Sequence, residues 1–282
     1  MKKFKIRKFN RLKRGNRRAY DMRKGIYILP NLFTTTSLFC GFYSIVQTLK
    51  GHYYVAAWAI FVAGIFDMLD GRIARLTRAS SDFGTEYDSL CDLASFGMAP
   101  VLLAYSWSLQ SYPRIGVAAA FLFFACGAMR LARYNVQSVN VERKNFQGLP
   151  IPMAAGLLIT YVIFYHHYFG RAMPGKSVLF LGLTILAALL MVSNVPYRSF
   201  KQFTSRRRAS FFYLVGLAVV IFFFIISPHE FVFIACLIYT ASGMVEYILQ
   251  KIFVAKSPSK ELPLELGGPP PPYESESLQS IH

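Results

Sequence analysis

The sequence predicts an all-α polytopic membrane protein with about eight transmembrane helices, and three observations carry that prediction. The 282-residue chain is 54% apolar and 16% aromatic, with a mean hydropathy of +0.38. Its apolar residues fall in long runs nearly free of charge, as spanning helices require and the narrow apolar stripe of a soluble helix does not. The basic residues gather between those runs, alternately many and few.

The apolar segments are roughly 28–49, 53–69, 87–109, 115–135, 150–169, 177–194, 211–227 and 230–250. The intervals on one side, together with both ends of the chain, hold 27 of the 31 Lys and Arg, leaving Lys50, Arg114, Arg171 and Lys176 on the other. By the positive-inside rule the richer side is cytoplasmic, which predicts a multi-pass protein of the inner (cytoplasmic) membrane with both termini inside. The net charge of +17 is spread over these intervals, not over one folded face. That distribution predicts contact with anionic membrane lipids and no nucleic-acid partner.

Three regions follow: a basic cytoplasmic arm over 1–25, a transmembrane catalytic domain over 26–252, and a disordered tail over 253–282. Residues 1–24 carry twelve Lys and Arg against one acid, Asp21. They differ from a signal peptide because the next apolar run opens on Pro30-Asn31 and has no small-residue cleavage site. The tail is rich in Pro, Ser and Glu. Cys40, Cys91, Cys126 and Cys236 include no CxxC pair and read as buried free thiols. His52, His166, His167, His229 and His282 fall at the outer-side intervals or in the tail and receive no catalytic role. Gly148-Leu149-Pro150-Ile151-Pro152 reads either as a break before the fifth span or as a turn that shapes a substrate pocket.

Six of the 14 acidic residues crowd into 67–92, between two apolar segments of a basic protein. Asp67 and Asp70 are three apart and share a helix face at the end of the second span; Asp88 and Asp92, four apart, do so at the start of the third. Carboxylates this dense repel one another and are costly at a membrane unless something compensates them. An oxygen-only cluster suits two divalent cations, Mg²⁺ or Mn²⁺, which commonly serve phosphate chemistry. Between the pairs, Gly71 and Ala74 leave room for a ligand against the backbone, and Arg75 offers bidentate contact to a phosphate. Gly84, four before Asp88, permits another close approach. Asp82 and Glu86 stand off this spacing and read as solvated loop charges.

The pattern D-x2-D-G-x2-A-R-x8-G-x3-D-x3-D, met at Asp67, Asp70, Gly71, Ala74, Arg75, Gly84, Asp88 and Asp92, resembles the signature of the CDP-alcohol phosphatidyltransferases. The resemblance implies that family's fold and a membrane enzyme that moves a phosphatidyl group from a CDP-linked lipid to an alcohol and releases CMP. It implies that the four aspartates hold two divalent ions, that Asp92 is also the general base, and that Gly71, Arg75 and Ser81 contact the nucleotide. It adds Asn31 and Thr34 at the start of the first span, and a homodimer.

The stretches PNLFTTTSLFCGFYSI (30–45), RLARYN (130–135), FQGLPIPMAAG (146–156) and MVSNVPYRSFK (191–201) are similar to the phosphatidylserine synthases of this fold. Their substrates would be CDP-diacylglycerol and L-serine, and Arg130, Arg133, Arg143 and Arg198 are the candidate partners of the serine carboxylate. Glycerol 3-phosphate, inositol phosphate or choline as acceptor, or an archaeal lipid as donor, remain open within the family. A cation transporter built on the same carboxylates would leave Gly71, Ala74 and Arg75 without a role.

Overall fold

A computed structural model describes residues 30–77, 82–138, 146–170, 175–197 and 226–256, with Gly216 and Phe222. The basic arm, most of the 211–227 segment and nearly all of the C-terminal tail lie outside the described residues.

The described architecture is helical throughout, apart from one two-residue bridge. Helix α1 covers 30–49, α2 runs Tyr53–Thr77 and α3 runs Asp82–Asp92. A π-helical segment, Leu93–Met98, joins α3 directly to α4, Ala99–Trp107. Then come α5 (Ile115–Ser138), β1 (Phe146–Gln147), α6 (Ile151–Phe169), α7 (Val178–Val192), β2 (Pro196–Tyr197) and α8 (Pro228–Lys256). Among the described residues, four helical stretches are long and apolar enough to cross a membrane: Tyr53–Ala74, Phe83–Trp107, Ile115–Val136 and Pro228–Tyr247. Helix α7 is a shorter apolar helix.

The apolar core is centred on α6. Its buried residues include Ala154, Ala155, Leu157, Leu158, Tyr161 and Val162, and it packs against α2, α4, α7 and α8. A helix apolar on all sides belongs inside a bundle. Trp107, Tyr161 and Phe180 close the core in edge and stacked contacts at 5.1–6.1 Å between ring centroids.

Two helix limits correct the sequence reading. The second helix continues to Thr77, beyond the expected end at 69, and the third begins at Asp82, before the expected 87. Apolarity marks the end of a span but not the end of a helix: Arg72, Ala74 and Leu76 are good helix formers and carry α2 onward. The four aspartates therefore sit within helices, and Glu86, expected in a loop, lies on α3.

The π segment has a local cause. Pro100 has no N–H for a helical bond, and its ring would strike the carbonyl of Phe96 in a regular α-helix. The chain widens by one residue just before it, and the Ala99 N–H bonds to the carbonyl of Ala94. The widened turn begins at the residue after Asp92 and changes the phase of α4 relative to α3. Gly41 of α1 packs directly on this turn: a Cβ there would stand 2.7 Å from Ser95 Cα. Ser37 donates to the Ala63 carbonyl at 3.0 Å and Ser95 to the Ser37 carbonyl at 3.2 Å, tying α1 to both neighbours.

Candidate active site

Helical spacing puts Asp67 and Asp70 on one face of α2, and Asp88 and Asp92 on one face of α3. The packing brings the two faces together. One carboxylate oxygen from each of Asp67, Asp70 and Asp88 lies within 4.8 Å of the others. The Asp92 carboxyl adjoins the same cluster, within hydrogen-bonding reach of Asp67.

Each acid has a distinct environment. Asp70 is buried; its Oδ2 accepts from the Thr34 hydroxyl at 2.8 Å, and the Gly71 backbone N–H also donates to its carboxylate. Asp88 Oδ1 is buried without a hydrogen-bond partner. Two full charges at such a separation repel by about 3 kcal/mol at an effective dielectric of 20. Three carboxylates with oxygens in mutual reach, one of them also carrying a buried unpartnered oxygen, therefore fit a divalent cation. Among the described residues this is the one group of three or more acidic, His or Cys side chains arranged that way.

The other sequence-derived residues divide by position. Thr34 is at the cluster, through Asp70. Asn31 is half-buried one turn earlier on α1, where its carbonyl accepts from Thr35 Oγ1 at 2.7 Å. Gly71 follows Asp70 directly, is exposed, and has open space where a Cβ would stand. Ala74 is half-buried one turn on, and Arg75 continues α2, its side chain outside the described residues. Ser81 lies outside them as well.

Thr35, Tyr87, Ser89 and Asn135 are not singled out by the sequence reading. Thr35 Oγ1 and Tyr87 Oη are 3.0 Å apart and link α1 to α3. Asn135 of α5 donates to Ser89 Oγ at 3.0 Å and to Glu86 Oε2 at 3.3 Å, holding α3 from the opposite flank. Glu86 is thus exposed but not merely solvated. Arg130, on α5, is 9% exposed. Its Nε has no hydrogen-bond partner, and Asp92 exerts the largest charge interaction on it. Arg133 instead reaches the end of α7, donating to the Val192 carbonyl at 3.2 Å and to Asn194 Oδ1 at 3.4 Å. Arg143 and Arg198 lie outside the described residues.

The Gly148–Pro152 segment docks against the same end of α7. Gly148, at φ +82°, donates to the Val195 carbonyl at 2.9 Å, and Leu149 to that of Leu190 at 3.0 Å. Only glycine suits this backbone conformation at such close range, since a Cβ would stand 2.4 Å from the Met191 carbonyl oxygen.

The CDP-alcohol phosphatidyltransferase family matches this chain over residues 27–195, which contain the whole cluster. The chain belongs to that family. This phosphatidyltransferase is 35% identical over 236 residues to the CDP-diacylglycerol–serine O-phosphatidyltransferase of Helicobacter pylori strain J99, covering 83% of this chain and 97% of the relative. It is 36% identical over 189 residues to the protein of that name from Methanocaldococcus jannaschii, 67% of this chain and 82% of the relative. It is also similar, at 34% over 171 residues, to the archaetidylserine synthase of Methanothermobacter thermautotrophicus, covering 60% of this chain and 69% of that one. The matched range, 27–195, includes α2 and α3 and with them Asp67, Asp70, Asp88 and Asp92.

Proposed function

We propose that this phosphatidyltransferase moves the phosphatidyl group of CDP-diacylglycerol to L-serine, giving phosphatidylserine and CMP. The observation that carries the reading is the convergence of Asp67, Asp70 and Asp88 within 4.8 Å, with Asp92 adjoining, on the signature positions. The names and near-complete coverage of the Helicobacter relatives supply the acceptor.

Asp67, Asp70, Asp88 and Asp92 would hold two divalent cations, Mg²⁺ or Mn²⁺. When bound, they neutralise pyrophosphate charge and stabilise the leaving CMP. Thr34 orients Asp70 for this task. By the family resemblance, Gly71, Ala74 and Arg75 would contact the nucleotide and its phosphates, with Ser81, Asn31 and Thr34 as further donor-binding residues. Asp92 accepts the proton of the serine hydroxyl as that oxygen forms its bond to the phosphorus bearing diacylglycerol. The bond from this phosphorus to the oxygen of CMP breaks, and CMP leaves with the electron pair. With no Ser, Cys or His nucleophile assigned at the site, the transfer is a single displacement.

The site opens to the cytoplasmic edge of the membrane, where the lipid enters sideways and serine and CMP exchange with water. The protein acts as a homodimer with both termini on that side. The reading is tested by CMP release from the purified full chain given CDP-diacylglycerol and serine, and no serine-dependent release would sink it. A second donor, a CDP-linked archaeal ether lipid, is favoured by the likeness to the archaetidylserine synthase and belongs in the same assay. Cation flux through vesicles lacking any CDP-lipid would instead support a transporter.

A further inference from the structure

Arg130 is a cation that the proposed chemistry leaves without a role. It is 9% exposed, and its Nε has no hydrogen-bond partner. A guanidinium stays protonated, so an unfilled donor on a buried one is costly until an oxyanion meets it. Asp92 is the strongest charge acting on it, ahead of Arg133, Tyr134 and Tyr239. Asp92 has other demands, because its carboxyl already meets Asp67.

Arg130 also stands on a distinct flank. Thr34 and Gly71 approach the cluster from α1 and α2, through Asp70. Arg130 lies on α5 five residues before Asn135, which donates to Ser89 of α3 at 3.0 Å, and among charged groups Asp92 acts on it most strongly. Arg133, three residues further, differs in kind: its Nη1 is committed to Val192 and Asn194, and Nη2 lies 3.1 Å from where a Gly148 Cβ would stand. That arginine fastens α5 to the end of α7.

We propose that Arg130 anchors the carboxylate of the acceptor on the α5 flank of Asp92, an inference that rests on the serine-transfer reading. An acceptor whose hydroxyl meets Asp92 carries its carboxylate two carbons away, towards the neighbouring guanidinium. The planar fork of arginine then receives that carboxylate with two hydrogen bonds, filling the open Nε. An alcohol without the carboxylate leaves the buried cation unmatched and is rejected on that ground.

The test compares serine with serinol, which keeps the hydroxyl and amine but has no carboxylate, using the purified full chain and measuring CMP release. Arg130→Gln is expected to raise the serine KM by about 10-fold to 100-fold, the scale of one charge-assisted contact. The serine-to-serinol ratio of kcat/KM falls with it, while the KM for CDP-diacylglycerol moves less than about threefold, within ordinary context effects. Arg130→Lys restores part of the preference, as charge without the fork would. A raised KM for the CDP-lipid with the serine preference intact assigns the guanidinium to donor phosphate and overturns the proposal. If Arg130→Gln does not fold, the ratio is read on Arg130→Lys, and an unchanged ratio there overturns it. Wild-type protein that ignores serine sinks the parent reading as well, whereas serine-dependent release with an unchanged ratio in Arg130→Gln sinks this proposal alone.

Discussion

The Thr34 hydroxyl stands 2.8 Å from Asp70 Oδ2, so a carboxylate of α2 is aimed by a side chain from α1, 36 residues earlier. The hydroxyl is buried, and its single proton faces two acceptors, Asp70 and the Pro30 carbonyl at 3.1 Å. Partners behind a metal ligand fix its orientation and typically contribute 10-fold to 100-fold in metal affinity or activity, by order of magnitude. Thr34→Val, close in shape but without the hydroxyl, is therefore expected to raise the half-saturating Mn²⁺ concentration by roughly 10-fold to 100-fold. Thr34→Ser should recover most of it. A metal titration of activity that is identical in wild type and Thr34→Val would rule out the orienting role.

Gly71 separates ligand contact from fold. A Cβ there meets nothing within 4 Å, and the residue is exposed within α2. Alanine in a helix interior is favoured over glycine by about 1 kcal/mol. Gly71→Ala should therefore hold or raise the unfolding temperature in detergent while lowering kcat/KM about tenfold or more, because the new methyl occupies nucleotide space. A fall in unfolding temperature would show that Gly71 serves the helix and not the substrate.

The spacing of the four aspartates was legible because faces of a helix are a local property: three or four residues fix them without knowledge of the fold. The contacts that hold those faces together were not. Thr35 meets Tyr87 across 52 residues and Ser89 meets Asn135 across 46, pairings decided by how the helices pack. The limits of α2 and α3 were misplaced because charge ends an apolar run without ending a helix. The π turn had one local signal, Pro100 within a continuous apolar stretch, which by itself fits a kink equally well. Arg130 was legible as one of four arginines, and only burial and the commitment of Arg133 to α7 distinguish it.

Gly41 and Gly64 provide a matched test of the packing behind the site. A Cβ at Gly41 would fall 2.6 Å from Ser95 Oγ and 2.7 Å from Ser95 Cα, whereas one at Gly64 finds Phe96 Cε1 at an ordinary 3.8 Å. Gly41→Ala must push α1 off the π turn, at a cost of about 1–3 kcal/mol as for other overpacked positions. Gly64→Ala should be nearly neutral. Thermal unfolding of the two variants side by side checks the contrast, and equal unfolding temperatures would show that the α1 contact yields freely.

Removal of metal tests the cluster as a whole. With Asp88 Oδ1 buried and unpartnered, and three carboxylates within 4.8 Å, the cluster gathers negative charge that a divalent cation would compensate. Activity is expected to vanish in EDTA and to return with Mg²⁺ or Mn²⁺, and the folded protein should gain thermal stability on adding either, through binding to the native state alone. Full activity in EDTA would remove the metal-assisted mechanism.

Asp92 provides the most direct test of how the four acids divide their work. It adjoins Asp67, immediately precedes the π turn and is the charged group that acts most strongly on Arg130. Asp92→Asn keeps the shape and a ligating oxygen but loses the basic carboxylate. A general base contributes about 100-fold to 10,000-fold, and kcat is expected to fall on that scale. The half-saturating Mn²⁺ concentration should rise as well, since the amide is a weaker ligand for a hard cation. Measuring kcat at saturating Mn²⁺ separates the two effects: a kcat that recovers fully once metal saturates would confine Asp92 to metal binding and leave the proton to another acceptor.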